Sequence, residues 1–161
     1  MSGTIYQINI KPQTPNERGL PKSPVKTAAV SHRGVEGDFN RYREEKHSGR
    51  LDRALLIMPL ETLVQLNGEG WPINPGDIGE NITTQGISYN DFCNNKKYRI
   101  GEIEIKISEP CTPCGNLKLL PYVGKERWAE FKKTMDKRRG WYAQVLKEGS
   151  INVGDEIVEI K

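Results

Sequence analysis

Cysteine and histidine are scarce in this chain, with three and two respectively among 161 residues. An odd, sparse cysteine count does not make the disulfide framework of a small secreted domain. The N-terminal "MSGTIYQINIKP" has no basic stretch leading into an apolar run, so no secretory signal is expected. The predicted compartment is the cytoplasm, with reduced thiols. Long apolar runs are missing too: none approaches the roughly 18 residues of a membrane span, which argues against a membrane partner. Charge of one sign is not in excess, and a net +3 is too small to point to nucleic acid. There is no internal repeat and no low-complexity segment, which excludes solenoids and propellers.

What remains is one ordinary domain, residues 1–161, with 35% apolar and 28% charged residues. Sixteen glycines and ten prolines, spread along the chain, predict many turns between short elements. "IYQINI" (5–10) and "VKTAAV" (25–30) read as strands flanking a proline-rich loop (11–24). "ALLIM" (54–58) reads as a buried strand. "PLETLVQLNGEG" (59–70) reads as a helix, with Pro59 in its first turn and a glycine stop. In "YRIGEIEIKIS" (98–108), Ile103, Ile105 and Ile107 share one strand face and Glu102, Glu104 and Lys106 the other. Residues 124–140 place Trp128, Phe131 and Met135 at helical spacing, and "WYAQVLKEG" and "DEIVEIK" close the chain as strands. The prediction is a mainly β fold, a barrel or sandwich core with peripheral helices.

Two of the cysteines sit together in "EPCTPCGNL" (109–117). Four readings compete for Cys111 and Cys114: a redox dithiol, half of a zinc site, one reactive thiol with a bystander, or core packing. Zinc needs four ligands, and Cys93, His32 and His47 are scattered without a second close pair. A thioredoxin-like dithiol expects a long helix afterwards, and Pro121 cuts the segment short. The local pattern favours Cys114. With Thr112 as N-cap and Pro113 at N1, Cys114 falls at N2 of a short helix, where free N–H groups favour a thiolate and Glu109 opposes it. These nine residues leave two buried structural cysteines as an equal alternative.

Between the second and third strands, His32, Arg33, Arg41, Arg43, His47, Arg50 and Arg53 crowd one glycine-punctuated stretch. It reads either as an anion pocket facing Cys114 or as a solvated loop with arginines paired to Glu36, Asp38, Glu44, Glu45 and Asp52. His32, at a strand end beside Arg33, is the better placed histidine. Glu80 and Asn81 follow a glycine-rich turn and would orient a ligand or simply feed a strand. Cys93 fits no pattern. Lys125 to Arg139 holds seven basic and three acidic residues, net +4. That reads as the solvated side of an amphipathic helix, with docking of an acidic partner second.

Four stretches together resemble one known family: "GVEGDFNRYREEKHSGRLDRALLIM", "LETLVQL", "PGDIGENITTQGI" with "YRIGEIEIKISEPCTPCGNL", and "INVGDEIVEI". The pattern is similar to the MOSC domain, named for the C-terminal region of molybdenum-cofactor sulfurases, in its small stand-alone prokaryotic form. The resemblance implies a closed β-barrel of the pyruvate-kinase-barrel kind, with helices at its rim. Cys114, in Pro113-Cys114, matches the signature cysteine. Gly37 and Asp38, Arg53, and Gly79-Glu80-Asn81 match further family positions. Cys111 stands where many members carry arginine. The resemblance implies one of two roles for Cys114. It either carries sulfur as a persulfide received from a pyridoxal-phosphate cysteine desulfurase, or ligates the metal of a molybdenum cofactor that reduces N-hydroxylated compounds. His32, Arg33, Gly37, Asp38, Arg53, Glu80, Asn81 and Cys111 would shape the pocket for that cofactor or another anionic small molecule. The alternatives are a non-catalytic pterin- or anion-binding module and a thiol-disulfide protein using both cysteines.

Overall fold

The computed structural model describes residues 2–12, 14–16, 20–39 and 50–161. Arg41, Arg43, Glu44, Glu45 and His47 lie outside the described residues. The barrel is built from β1 (Ser2–Ile10), β5 (Leu55–Pro59), β6 (Ile82–Gln85), β7 (Lys97–Ile100), β8 (Ile103–Pro110), β9 (Trp141–Lys147) and β11 (Glu156–Ile160). These seven strands pair in the order β11-β7-β8-β9-β5-β6-β1, and β1 pairs back to β11 to close the ring. All neighbours are antiparallel except β5 and β6, which run parallel with Ile57 opposite Ile82.

The long β1 serves two partners along one edge. Ser2–Thr4 face Glu156–Val158 of β11, and Ile8–Ile10 face β2 (Ser23–Val25) outside the ring. A second small sheet joins β10 (Gly149–Asn152), β3 (Thr27–Ser31) and β4 (Gly34–Val35).

The isoleucine alternation does what its period requires. Ile103, Ile105 and Ile107 are fully buried inside the barrel with Ile5, Ile57, Ile82, Ile100 and Ile157, while Glu104 and Lys106 lie at intermediate exposure outside. Gly101, at φ +53°, splits the expected β region into the β7–β8 hairpin.

A second apolar cluster sits outside the ring. Helix α1 (Leu60–Gly68) contributes Leu63 and Leu66, and α2 (Trp128–Met135) contributes Phe131 and Met135. Trp71, Ile78, Leu117 and Leu120 fill the space between them. Pro59 is the last residue of β5 and caps α1 from outside rather than lying in its first turn. The helix expected over 124–140 is shorter than its pattern. It ends at Met135 because Asp136 leaves helical geometry and Lys137 takes φ +60°. Among the described residues no helix is long and apolar enough to cross a membrane.

Asp38 fastens the segment after β4 to the barrel. Its Oδ1 accepts the Lys11 N–H at 2.8 Å, and its Oδ2 accepts Lys22 Nζ at 2.7 Å and Asn81 Nδ2 at 2.9 Å. Both side chains of the Lys22–Asp38 pair are more than nine-tenths buried. Removing one partner of a buried pair leaves the other charge short of compensation. Asp38→Ala is expected to cost about 3–5 kcal/mol in urea unfolding, with Asp38→Asn recovering part of it.

Candidate functional site

The site forms at the seam between the two apolar clusters, where β8 ends and β9 begins. Pro110 is the last residue of β8, paired with Trp141. One residue on, the Cys111 N–H bonds the Gly140 carbonyl at 2.8 Å. Gly140 is required there: its φ is +110°, and an added Cβ would stand 2.8 Å from the Ile57 carbonyl. Tyr89 clamps the same glycine, its hydroxyl accepting the Gly140 N–H and donating to the Gly140 carbonyl, both at 3.1 Å.

Cys111 is buried. Its thiol lies 3.6 Å from the Thr112 carbonyl and within hydrogen-bonding reach of the Tyr142 phenol. Burial, then the Cys111 thiol, push the Tyr142 hydroxyl well above the ordinary tyrosine value, so it remains a proton donor. Cys114 is half-buried. It is not the N2 residue of an α-helix. It is the N-cap of a five-residue 3-10 turn, Gly115–Leu119, and its carbonyl accepts the Leu117 N–H at 3.2 Å. Leu117 and Leu120 anchor that turn in the second cluster, which is why the chain turns there.

Two guanidinium groups flank the cysteines. Arg53 closes the 3-10 turn Leu51–Arg53 and lies over the Tyr142 ring, 4.8 Å from its centroid. Its Nε donates to Glu109 Oε1 at 2.7 Å. Arg139 comes from the opposite side, just ahead of Gly140, and is only 4% exposed. Its Nη2 donates to the Ile78 carbonyl at 2.6 Å, while Nε and Nη1 are buried without a hydrogen-bond partner. Burial alone would lower its pKa, but Cys111, Cys114, Tyr142 and Glu80 together hold it above the ordinary arginine value. A buried cation with two idle donors is ready to take an anion.

Arg139 belongs to the basic segment that the sequence pattern assigns to a solvated helix face. The structure corrects that reading for this residue, because Lys137 turns the chain and sends Arg139 inward. Its neighbour Arg138 stays at the surface and pairs with Glu69. Tyr89 and Tyr142 also belong to the candidate site, through Gly140 and Cys111, and the sequence reading passes over them. The one available signal was "RRGWY", a glycine and aromatics directly after paired arginines at a strand start.

The other predicted positions divide cleanly. Arg53, Cys111 and Cys114 come together, and Glu80 joins them through Arg139. Glu80 is fully buried, with Oε1 accepting the Gly76 N–H at 2.6 Å and the Thr83 hydroxyl at 3.0 Å, and Oε2 without a partner. Asn81 and Asp38 form framework: Asn81 Oδ1 accepts the Leu56 N–H at 3.1 Å while its amide holds Asp38. Gly37 is in the turn before Asp38, at φ +82°. His32 and Arg33 are exposed at the β3–β4 turn. The His32 Nδ1 lies 2.9 Å from the Val145 carbonyl and its Nε2 4.0 Å from Glu148, so the ring contacts the outer part of β9 rather than either thiol. Cys93 is exposed and remote in pairing, 3.6 Å from the Asn90 carbonyl. Among the described residues no three His, Cys, Asp or Glu side chains are grouped to hold a metal ion.

The family model for the MOSC domain matches residues 44–158, most of the chain and both cysteines. The chain belongs to the MOSC domain family. YflK of Bacillus subtilis is 28% identical over 166 residues, covering 94% of this chain and 70% of that protein. A protein named "Reductase" from Gibberella moniliformis is 34% identical over 85 residues, which is 14% of its own length. The crystal structure of YiiM from Geobacillus stearothermophilus superposes with a TM-score of 0.75 at 29% identity, covering 99% of this chain and 75% of that one. The YUAD protein of Bacillus subtilis, at 16% identity and a TM-score of 0.78, shares the fold. The closed mixed barrel is therefore a MOSC barrel, from a family associated with molybdenum-cofactor proteins.

Burial is the main cause that raises the Glu80 carboxyl above its ordinary value, with Gly76, Thr83 and Arg139 opposing it. The folded MOSC domain thus holds that proton more tightly than the unfolded chain. Its stability should fall as pH rises from the ordinary carboxylate range through the raised Glu80 value. Glu80→Gln is expected to flatten this decline, measured as the melting temperature across pH 4–8 against wild type.

Proposed function

We propose that this MOSC protein binds the molybdenum cofactor with the Cys114 sulfur as its soft ligand, and uses it to reduce N-hydroxylated small molecules. The observation that carries the reading is Arg139, a buried guanidinium with two unpartnered donors beside a half-open thiol. A thiolate suits a soft metal, and a guanidinium fork suits the oxygens of a pterin phosphate. The residues present therefore fit the group. When bound, the cofactor would supply a metal able to pass two electrons to an N–O bond.

The chain's own residues do the rest. Cys114, at the mouth of the seam, offers its sulfur from a turn pinned by Leu117. Arg139 neutralises and orients the anionic part of the ligand. The family resemblance leads one to expect an arginine at position 111. Here a thiol occupies that position, and Arg139 brings a guanidinium to the same neighbourhood from the segment just before β9. Tyr142 keeps its proton and carries Arg53 on its face, and Glu109 accepts the Arg53 Nε–H. Cys111, being buried, positions its neighbours rather than meeting the ligand.

Sulfur transfer is the second reading, because the Cys114 thiol is half-buried beside a cation that would favour an anionic persulfide. Its partner would be a cysteine desulfurase. Protein made in molybdenum-supplied cells should co-purify with molybdenum and a fluorescent pterin oxidation product. Cys114→Ser should lose the metal. Arg139→Gln should weaken retention at least tenfold, since each lost charge-assisted hydrogen bond is worth about 1.5–3 kcal/mol. Arg139→Lys keeps the charge without the fork and should fall between. A metal-free wild type that gains the mass of one sulfur at Cys114 from a desulfurase and cysteine would replace this reading with the carrier role.

A further inference from the structure

The same glycine turn that supplies Arg139 with the Ile78 carbonyl shows a different face one residue earlier. Asp77 lines a separate cleft of about 400 Å³, within the size range of small-molecule pockets. Its walls are mainly apolar, from Leu20, Pro21, Leu119, Leu120 and Pro121, with the Tyr122 ring and Asn74 beside Asp77. The Tyr122 hydroxyl donates to Asp77 Oδ2 at 3.0 Å, and the Asn74 N–H donates to the same oxygen at 3.0 Å. Asp77 Oδ1 has no hydrogen-bond partner among the described residues. Burial, reinforced by Asp77, holds the Tyr122 phenol far above the ordinary tyrosine value, so this donor keeps its proton. The described lining contains one carboxylate and no lysine, arginine or histidine.

We propose that this cleft binds a small, flat, apolar organic cation of the amidinium or protonated-amine type. Asp77 Oδ1 would take the charged head, and the proline and leucine walls the body. The Tyr122 ring adds an attractive face for a cation. An anion would meet an unopposed carboxylate there, so the cleft is opposite in preference to the Arg139 side of the same turn. The 3-10 turn Gly115–Leu119 links it to Cys114, and five residues at about 2 Å rise set the two roughly 10 Å apart. The proposal goes beyond the cofactor reading and stands without it.

Benzamidine, benzoate and benzyl alcohol titrated into the full chain, followed by amide NMR, test it. Benzamidine should give saturable shifts at Leu119, Leu120 and Tyr122, at least tenfold tighter than benzoate. Asp77→Asn and the cleft-filling Leu119→Trp, at a half-exposed position, should each weaken benzamidine at least tenfold. Cys114→Ser should leave it unchanged, which separates this result from the fate of the cofactor reading. Equal binding of benzoate, no saturable shift with benzamidine, or full affinity in both cleft variants would each overturn the proposal.

Discussion

The site depends on one buried cation. Placing the Arg139 guanidinium at the seam costs desolvation that a single carbonyl bond to Ile78 does not offset. Neighbouring acidic groups, Cys111, Cys114 and Glu80 among them, favour its charged form. Glu80 in turn is held by the Gly76 N–H of its own glycine turn and by the Thr83 hydroxyl from β6. The turn over 75–81, the end of β8 and the start of β9 are thereby tied to one charge. A fold can hold such an arrangement only if its backbone is rigid there, and the Tyr89–Gly140–Cys111 hydrogen bonds supply that rigidity.

Charges of opposite sign lie on the two sides of one glycine turn. Arg139 and Arg53 surround the thiols, and Asp77 faces away across the same glycine turn. A compound with an anionic end and a cationic or neutral apolar end would be sorted by this layout without any moving part. The Asp38 hub ties Lys11, Lys22 and Asn81 together on the barrel wall, so Asp38 and Asn81 act through the framework.

Much of the barrel was readable from pattern. The period-two isoleucines of β8, the run Leu55–Met58 and the closing strand all carry enough apolar alternation to declare themselves. β10 was not, because only Ile151 of its four residues enters the core. The extent of α2 was misjudged because helical spacing continued past the point where Lys137 turned left-handed, a backbone choice that side-chain periodicity does not record. Cys111, Cys114 and Arg53, named together from the sequence, do come together in the fold. Arg139 was not legible, since nothing in a basic run marks which member turns inward. His32 looked promising from its neighbours in sequence, yet its neighbours in space are Val145 and Glu148.

Closure of the ring through β1 and β11 has a consequence for synthesis. Ser2–Thr4 can find Glu156–Val158 only after every other barrel strand has been made. Until then β1 and β7 present unpaired edges to the cell, each able to recruit a foreign strand. Those two edges stay open until the final strand emerges, and a ribosome that pauses just before it would leave the barrel open like an unfastened cuff.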